Sequence, residues 1–130
     1  MPRVSAAFFT VGVIAVLIGM VWGMIMGATD NMVTMPAHAH LNLLGWVTMG
    51  LYGTFYALEG PGLSPRLAWT NFIVSTASLV VMIPSLTMFL SHGNDPKYLP
   101  GMQAGEGLAV LGMAIFAISV LRELLRRRAA

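Results

Sequence analysis

The chain has 130 residues, a length that suits a single domain. Hydrophobic residues make up 57% of the chain and charged residues only 9%, against roughly 25% charged residues in a soluble domain, so the composition predicts an integral membrane protein. The lack of cysteine excludes disulfides, thiolate zinc sites, iron–sulfur clusters and covalently attached heme. The net charge of +2 comes from a terminal arginine cluster and does not indicate nucleic-acid binding.

Four apolar stretches are each long enough to cross a bilayer, which takes roughly 20 residues of helix. The connections between them are short and contain proline and glycine, which mark helix ends. The predicted spans cover residues 5–27, 38–58, 67–90 and 101–121. Because short connections make neighbouring helices antiparallel, we expect residues 1–130 to form one all-α membrane domain of four transmembrane helices.

Lysine and arginine predict how this domain is oriented. With the N-terminus inside, the outer loops contain only Lys97, and every arginine lies in a cytoplasmic segment. This distribution follows the positive-inside rule. We therefore expect a multi-pass protein of the bacterial inner membrane with both termini in the cytoplasm and all histidines near the outer face. The cytoplasmic arginines are Arg3, Arg66, Arg122, Arg126, Arg127 and Arg128.

Glycines recur at four-residue spacing in two of the spans. The first span contains Gly19, Gly23 and Gly27, and the fourth span begins with Gly101 and Gly105. Small residues at this spacing form a helix face on which another backbone can approach closely in lipid. The pattern therefore predicts close helix packing along both spans.

Two histidines, His38 and His40, stand at the start of the second span. Two positions on an α-helix are separated by about 200° of rotation, so the two rings point to opposite sides and cannot easily share one ion. Ionisable residues at membrane depth usually mark functional sites, and neutral imidazole is a common ligand of heme iron. In a cyclic oligomer, each interface would receive one histidine from each neighbour. The alternative is a pair of interfacial histidines that bond to water, lipid or backbone.

The residues from His38 to Trp46 read H-A-H-L-N-L-L-G-W, which resembles subunit I of the heme-copper oxidase superfamily, including nitric oxide reductases. In that family a His-x-His motif opens the tenth of twelve helices near the outer face. Its first histidine binds the high-spin heme and its second binds the low-spin heme. The resemblance therefore implies that His38 and His40 bind b-type heme.

The family's twelve helices form three groups of four, and the tenth helix is second in its group. Because the motif here opens the second of four spans, the resemblance implies a homotrimer that rebuilds the twelve-helix plan. The family's active site also needs three histidines on other helices, whereas this chain has only one more, His92. The resemblance thus favours electron transfer or redox and gas sensing with an unidentified electron donor and acceptor, and it leaves open whether the protein is an enzyme.

Three polar or aromatic residues near the predicted heme have two interpretations each. Asn42 lies one helical turn from His38 and is expected either to bond across helices or to orient a ligand. Trp46 is expected either to pack or anchor at the interface, or to flank the heme. Glu106 near the start of the fourth span is either an acid favoured by the helix dipole or a partner for propionates, protons or cations.

Methionine supports a second class of function. The chain contains 11 methionines, and Met88 lies four residues before His92, a spacing at which two side chains can share one ion. Thioether and imidazole groups suit Cu(I), so a copper-binding or copper-transport protein is the alternative, although methionine also fills apolar gaps. A heme-free membrane scaffold or accessory subunit is the third possibility.

Overall fold

A computed structural model describes the backbone of residues 1–129 and the side chains through Arg126. The side chains of Arg127 and Arg128, which belong to the predicted cytoplasmic set, lie outside the described residues. Every regular element in the described part of the chain is helical, as predicted. In chain order these are α1 (Arg3–Thr29), α2 (Met35–His40), a π-helical segment (Leu41–Thr48), α3 (Met49–Leu58), a 3₁₀ turn (Gly60–Gly62), α4 (Pro65–Ser91), a second 3₁₀ turn (Pro96–Tyr98) and α5 (Leu99–Ala129).

In the described part of the chain, three helices are long and apolar enough to cross a membrane. They occupy Arg3–Thr29, Pro65–Ser91 and Pro96–Arg126, and they contain the first, third and fourth predicted spans. The last helix continues to Ala129, well past residue 121, because arginine, leucine and glutamate in this stretch are good helix formers even though the sequence there is too polar for lipid.

The second predicted span is helical but not a regular α-helix. We call residues 35–58 the composite helix, because α2, the π-helical segment and α3 follow one another without a break. The backbone stays in the right-handed helical region at both junctions, with φ −59° and ψ −45° at Leu41 and φ −63° and ψ −38° at Met49. Thr48 Oγ1 donates to the Leu43 carbonyl five residues earlier, 2.9 Å away, which matches π-helical spacing.

Glycines allow the helices to approach closely, as their spacing predicts. A Cβ atom on Gly19 or Gly23 of α1 would meet a side chain of the composite helix, and one on Gly101 of α5 would meet a serine of α4. At Gly105 it would meet the backbone of α4. Gly27, by contrast, has open space where its side chain would be, so only part of the α1 stripe makes contacts.

A buried polar network connects three helices of the bundle. Asn71 Nδ2 donates to the Tyr56 hydroxyl at 3.1 Å, and Ser75 Oγ donates to Asn71 Oδ1 at 2.9 Å. The Tyr56 hydroxyl also lies 3.2 Å from Ser119 Oγ of α5. These groups are buried in a region surrounded by Phe8 and other aromatic rings. The network therefore links the composite helix to both α4 and α5 where water is excluded.

The histidines and the arginines lie at opposite ends of the helix bundle. The backbone of Gly62 lies against the Arg126 guanidinium, and Phe8 of α1 lies beside Gly53 of the composite helix, so these helix termini share one end of the bundle. We call it the arginine end. His38 and His92 lie at the opposite end, which we call the histidine end.

Candidate functional site

The ring of His38 lies against α1. A Cβ atom on Gly23 would lie only 3.1 Å from the Cε1 atom of this ring, so glycine at this position is what admits the imidazole. The indole of Trp22 approaches the same ring edge to face, with centroids 6.1 Å apart and planes at 77°. His38 is therefore half-buried between two neighbouring residues of α1.

Asn42 lies one turn further along and bonds to His38. Its Nδ2 atom is 3.2 Å from His38 Nε2, and its amide rests on the backbone at Gly19. With Asn42 donating, His38 carries its proton on Nδ1. Among the described residues, neither His38 Nδ1 nor Asn42 Oδ1 has a hydrogen-bond partner, although both atoms are buried. Buried polar atoms are normally paired, so this pair is an incomplete polar cluster.

Two further side chains hold the start of α2 against α1. Trp22 Nε1 donates to Thr34 Oγ1 at 3.1 Å, and Thr34 Oγ1 lies 3.7 Å from the Met26 sulfur. The sequence does not predict this contact. The only available signal was a tryptophan and a threonine flanking the same short connection, which is too common to be specific.

His40 occupies the other side of the helix. Its side chain is exposed, and its Nδ1 atom donates to the Pro36 carbonyl at 2.7 Å. In the neutral imidazole, donation from Nδ1 leaves Nε2 without a proton. Metal-binding histidines are commonly held in this way, by donation from the other ring nitrogen to a backbone carbonyl. The two imidazoles thus have separate surroundings, as their rotation about the helix predicts.

The two histidines differ in how they suit heme iron. His40 presents a free Nε2 atom on an exposed surface, which fits a residue that would hold heme iron. The Nε2 atom of His38 is engaged by Asn42 and its ring is covered by α1, so His38 would have to turn away from Asn42 to bind iron. The unpartnered Asn42 Oδ1 and His38 Nδ1 atoms make this cluster the place where an absent group would find polar partners.

The remaining predicted site residues lie elsewhere. Trp46 packs on Gly12 of α1, at 3.3 Å from the position of a Cβ there, whereas His38 packs on Gly23. Eleven residues separate those two glycines, which is about 16 Å of helix, so the structure does not bring Trp46 beside His38. Glu106 is exposed on α5, close to its start at the histidine end.

His92 follows α4 at the histidine end. Its Nδ1 atom donates to the Met88 carbonyl at 2.9 Å, and its ring lies 5.4 Å from that of Tyr98. Within the part of the chain that is described, no three histidine, aspartate or glutamate side chains come together in a way that could hold a metal. A copper site here would therefore depend on methionine sulfur or on a second chain.

The structure thus places one histidine in a polar cluster against α1 and another on an exposed surface with a free ring nitrogen. Comparison of the chain with models of protein families, with curated proteins and with solved structures finds no match.

Proposed function

We propose that this chain is a heme b-binding membrane protein of four spans whose role is electron transfer or redox and gas sensing. One observation carries the proposal. The Nδ1 atom of His40 is fixed to the Pro36 carbonyl at 2.7 Å, so a free Nε2 atom is presented outward near one end of a membrane-spanning bundle. This is how proteins prepare an imidazole to bind a metal.

The composite helix supplies the fourth span of this proposal. Its three segments contain six, eight and ten residues, which together exceed the roughly 20 that a bilayer needs. It runs antiparallel to α1, because Gly53 lies beside Phe8 at one end and His38 lies beside Gly23 at the other. Since the arginines gather at the other end, the positive-inside rule puts the histidines toward the outside.

The location of His40 supports assembly with a second copy. His38 lies on the α1 side of its helix, so one chain does not offer both imidazoles to a single iron atom. A heme at such an interface would be held by His40 of one chain and by His38 of a neighbour. A homotrimer closes this arrangement with the same contact at every interface. Three chains of four spans would also give the twelve helices of the oxidase subunit that the His38–Trp46 motif resembles.

The chain's own residues would prepare the site in two ways. Pro36 fixes the tautomer of His40, and release of Asn42 from His38 would free the second nitrogen. Heme, when bound, supplies one-electron redox chemistry. A heme that would be held by the imidazoles of both His38 and His40 suits electron transfer better than oxygen chemistry.

The copper alternative has its own structural support. His92 is also held through Nδ1, here by the Met88 carbonyl, and so also presents a free Nε2 atom at the histidine end. Imidazole and exposed thioether groups suit Cu(I). This site would be functional without His40, so substitutions of the two histidines separate the alternatives.

Absorption spectra of the purified protein test the proposal. Wild-type protein from heme-replete cells should show a Soret band that shifts on reduction, and His40→Ala and His38→Ala should each lose it. The matched control, His92→Ala, removes a similarly held imidazole at the same end and should keep the full signal. Retention of the Soret band in both His38→Ala and His40→Ala, or a colourless wild-type protein that retains copper, would contradict the heme proposal.

A further inference from the structure

A cavity lies at the arginine end, where the composite helix and α5 terminate. Its volume is about 300 Å³, at the lower limit for pockets that hold small molecules. It lies where the apolar part of α5 gives way to arginine, far from the histidines. Its lining residues are Glu59, Gly62, Arg122, Glu123, Leu125 and Arg126.

Glu59 is the unusual member of this lining. Only 7% of the residue is exposed, and its Oε2 atom is buried without a hydrogen-bond partner among the described residues. Burial raises the pKa of the Glu59 carboxyl, and the nearby charge of Glu123 raises it further, while Arg122 and Arg126 act in the opposite direction. A buried carboxylate of this kind gains most from a cation that also donates hydrogen bonds.

Two arginines of α5 line the cavity together with Glu123. Arg126 donates from Nε and from a terminal nitrogen to Glu123 Oε2, at 2.9 and 2.6 Å, and its guanidinium rests on Gly62, where any side chain would collide with it. Arg122 lies one turn earlier on α5 and is exposed. The lining thus holds two guanidinium groups and two carboxylates, and one of those carboxylates is already bonded to Arg126. Such a mixed lining suits a zwitterion better than a simple anion or a simple cation.

Exposed leucines lie close in sequence to the lining residues, and one of them, Leu125, belongs to the lining. Leu58 is 77% exposed beside Glu59, and Leu121, Leu124 and Leu125 of α5 are also exposed. A ligand that enters from this side would keep its hydrocarbon part against leucine while its polar part reaches the charged walls. These features together describe a site for an amphipathic zwitterion.

We propose that this cavity binds the headgroup of a phospholipid that carries a primary ammonium group, such as phosphatidylethanolamine. The ammonium group lies against Glu59 and donates to its Oε2 atom, while the phosphate lies against Arg122 and Arg126. Acyl chains run along the exposed leucines. A choline headgroup lacks the N–H donors that Glu59 requires, and a purely anionic headgroup leaves the Glu59 carboxylate unpaired beside like charge.

Lipid competition on the full-length chain tests this site. Detergent-purified protein is exchanged into nanodiscs that contain equal parts phosphatidylethanolamine, phosphatidylcholine and phosphatidylglycerol, and retained lipids are identified by native mass spectrometry. We expect preferential retention of phosphatidylethanolamine. Glu59→Gln, which keeps the shape of the side chain, should reduce this preference about tenfold, since a bond to a charged group is lost.

Glu106→Gln is the matched control, because it removes a carboxylate from the other end of α5 and should leave the preference unchanged. Soluble phosphoethanolamine at the same concentration should compete only weakly, because it lacks acyl chains; strong competition would assign the cavity to a free headgroup and overturn the lipid proposal. Equal retention of the three lipids by the wild-type protein, or preference for phosphatidylglycerol, would also overturn it. The lipid preference of the wild-type protein tests the proposal even if Glu59→Gln fails to fold.

Discussion

A close contact between α4 and α5 at Gly105 gives the most quantitative prediction. A Cβ atom on Gly105 would lie 2.6 Å from the Met82 Cα atom and 2.7 Å from its nitrogen. These are backbone atoms, which cannot rotate away as a side chain can. Gly105→Ala should therefore force the two helices apart.

Three energy terms set the size of this effect. Overpacking of a well-packed interface costs typically about 1–3 kcal/mol. Separation of the helices also breaks the bond from Ser78 Oγ to the Gly105 carbonyl, now 2.9 Å long, and such bonds in membranes contribute about 0.6 kcal/mol on average. Alanine offsets part of this loss, because it favours helix over glycine by about 0.8–1.0 kcal/mol.

Gly107 provides the matched control on the same helix. A Cβ atom there would meet nothing within 4 Å, so Gly107→Ala should be neutral or slightly stabilising. We expect the free energy of unfolding of Gly105→Ala to be about 2 kcal/mol or more below that of Gly107→Ala. Reversible unfolding in mixed detergent micelles measures this difference. Equal stability of the two variants would refute the close approach of α4 and α5 at this point.

Three further predictions concern other parts of the bundle. Gly19→Ala should displace the Asn42 amide and break its hydrogen bond to the His38 imidazole, which the ¹⁵N chemical shift of the imidazole reports. Gly27→Ala faces open space and should not change that shift. Tyr56→Phe should lower the free energy of unfolding by about 1 kcal/mol, since two buried partners lose their bond, while Tyr52→Phe loses only a 3.6 Å contact to sulfur and should cost less. Burial raises the pKa of Glu59, so the folded state holds this proton more tightly than the unfolded state, and stability should fall as the pH rises above about 4.3. Glu59→Gln should flatten that part of the pH profile of unfolding in lipid-free detergent; parallel profiles would contradict the assignment.

Features that depend on local patterns were predictable from the sequence. Long apolar stretches predicted the helices that contain residues 5–27, 67–90 and 101–121, because length and hydropathy alone decide whether a helix suits lipid. The opposite placement of His38 and His40 followed from helical rotation, since both lie in the α-helical segment α2.

Features that depend on the neighbouring helix were not predictable. The π-helical segment Leu41–Thr48 has an apolar sequence that is equally suitable for an α-helix, and no residue in it signals the change of spacing. Asn42 was expected near His38, yet whether its amide would face a ligand, another helix or the imidazole depended on the space left by Gly19.

The burial of the Glu59 carboxyl was also not predictable from the sequence. Glu59 follows the second predicted span and reads as a loop residue, with glycine and proline after it. Its burial arises because the end of α5 passes over the short connection that contains Gly62. Because the last span was predicted to end at residue 121, no helix was expected beside the connection that contains Gly62.

The iron content and ligand spectrum of the purified wild-type protein test the central claim most directly. If every interface takes one imidazole from each of two chains, a closed ring binds about one heme per chain. Iron analysis should then give a ratio near that value, and electron paramagnetic resonance should show low-spin iron with two imidazole ligands. An iron-to-protein ratio well below this value, or a high-spin spectrum with a single imidazole, would contradict the proposal that His38 and His40 of neighbouring chains hold the cofactor.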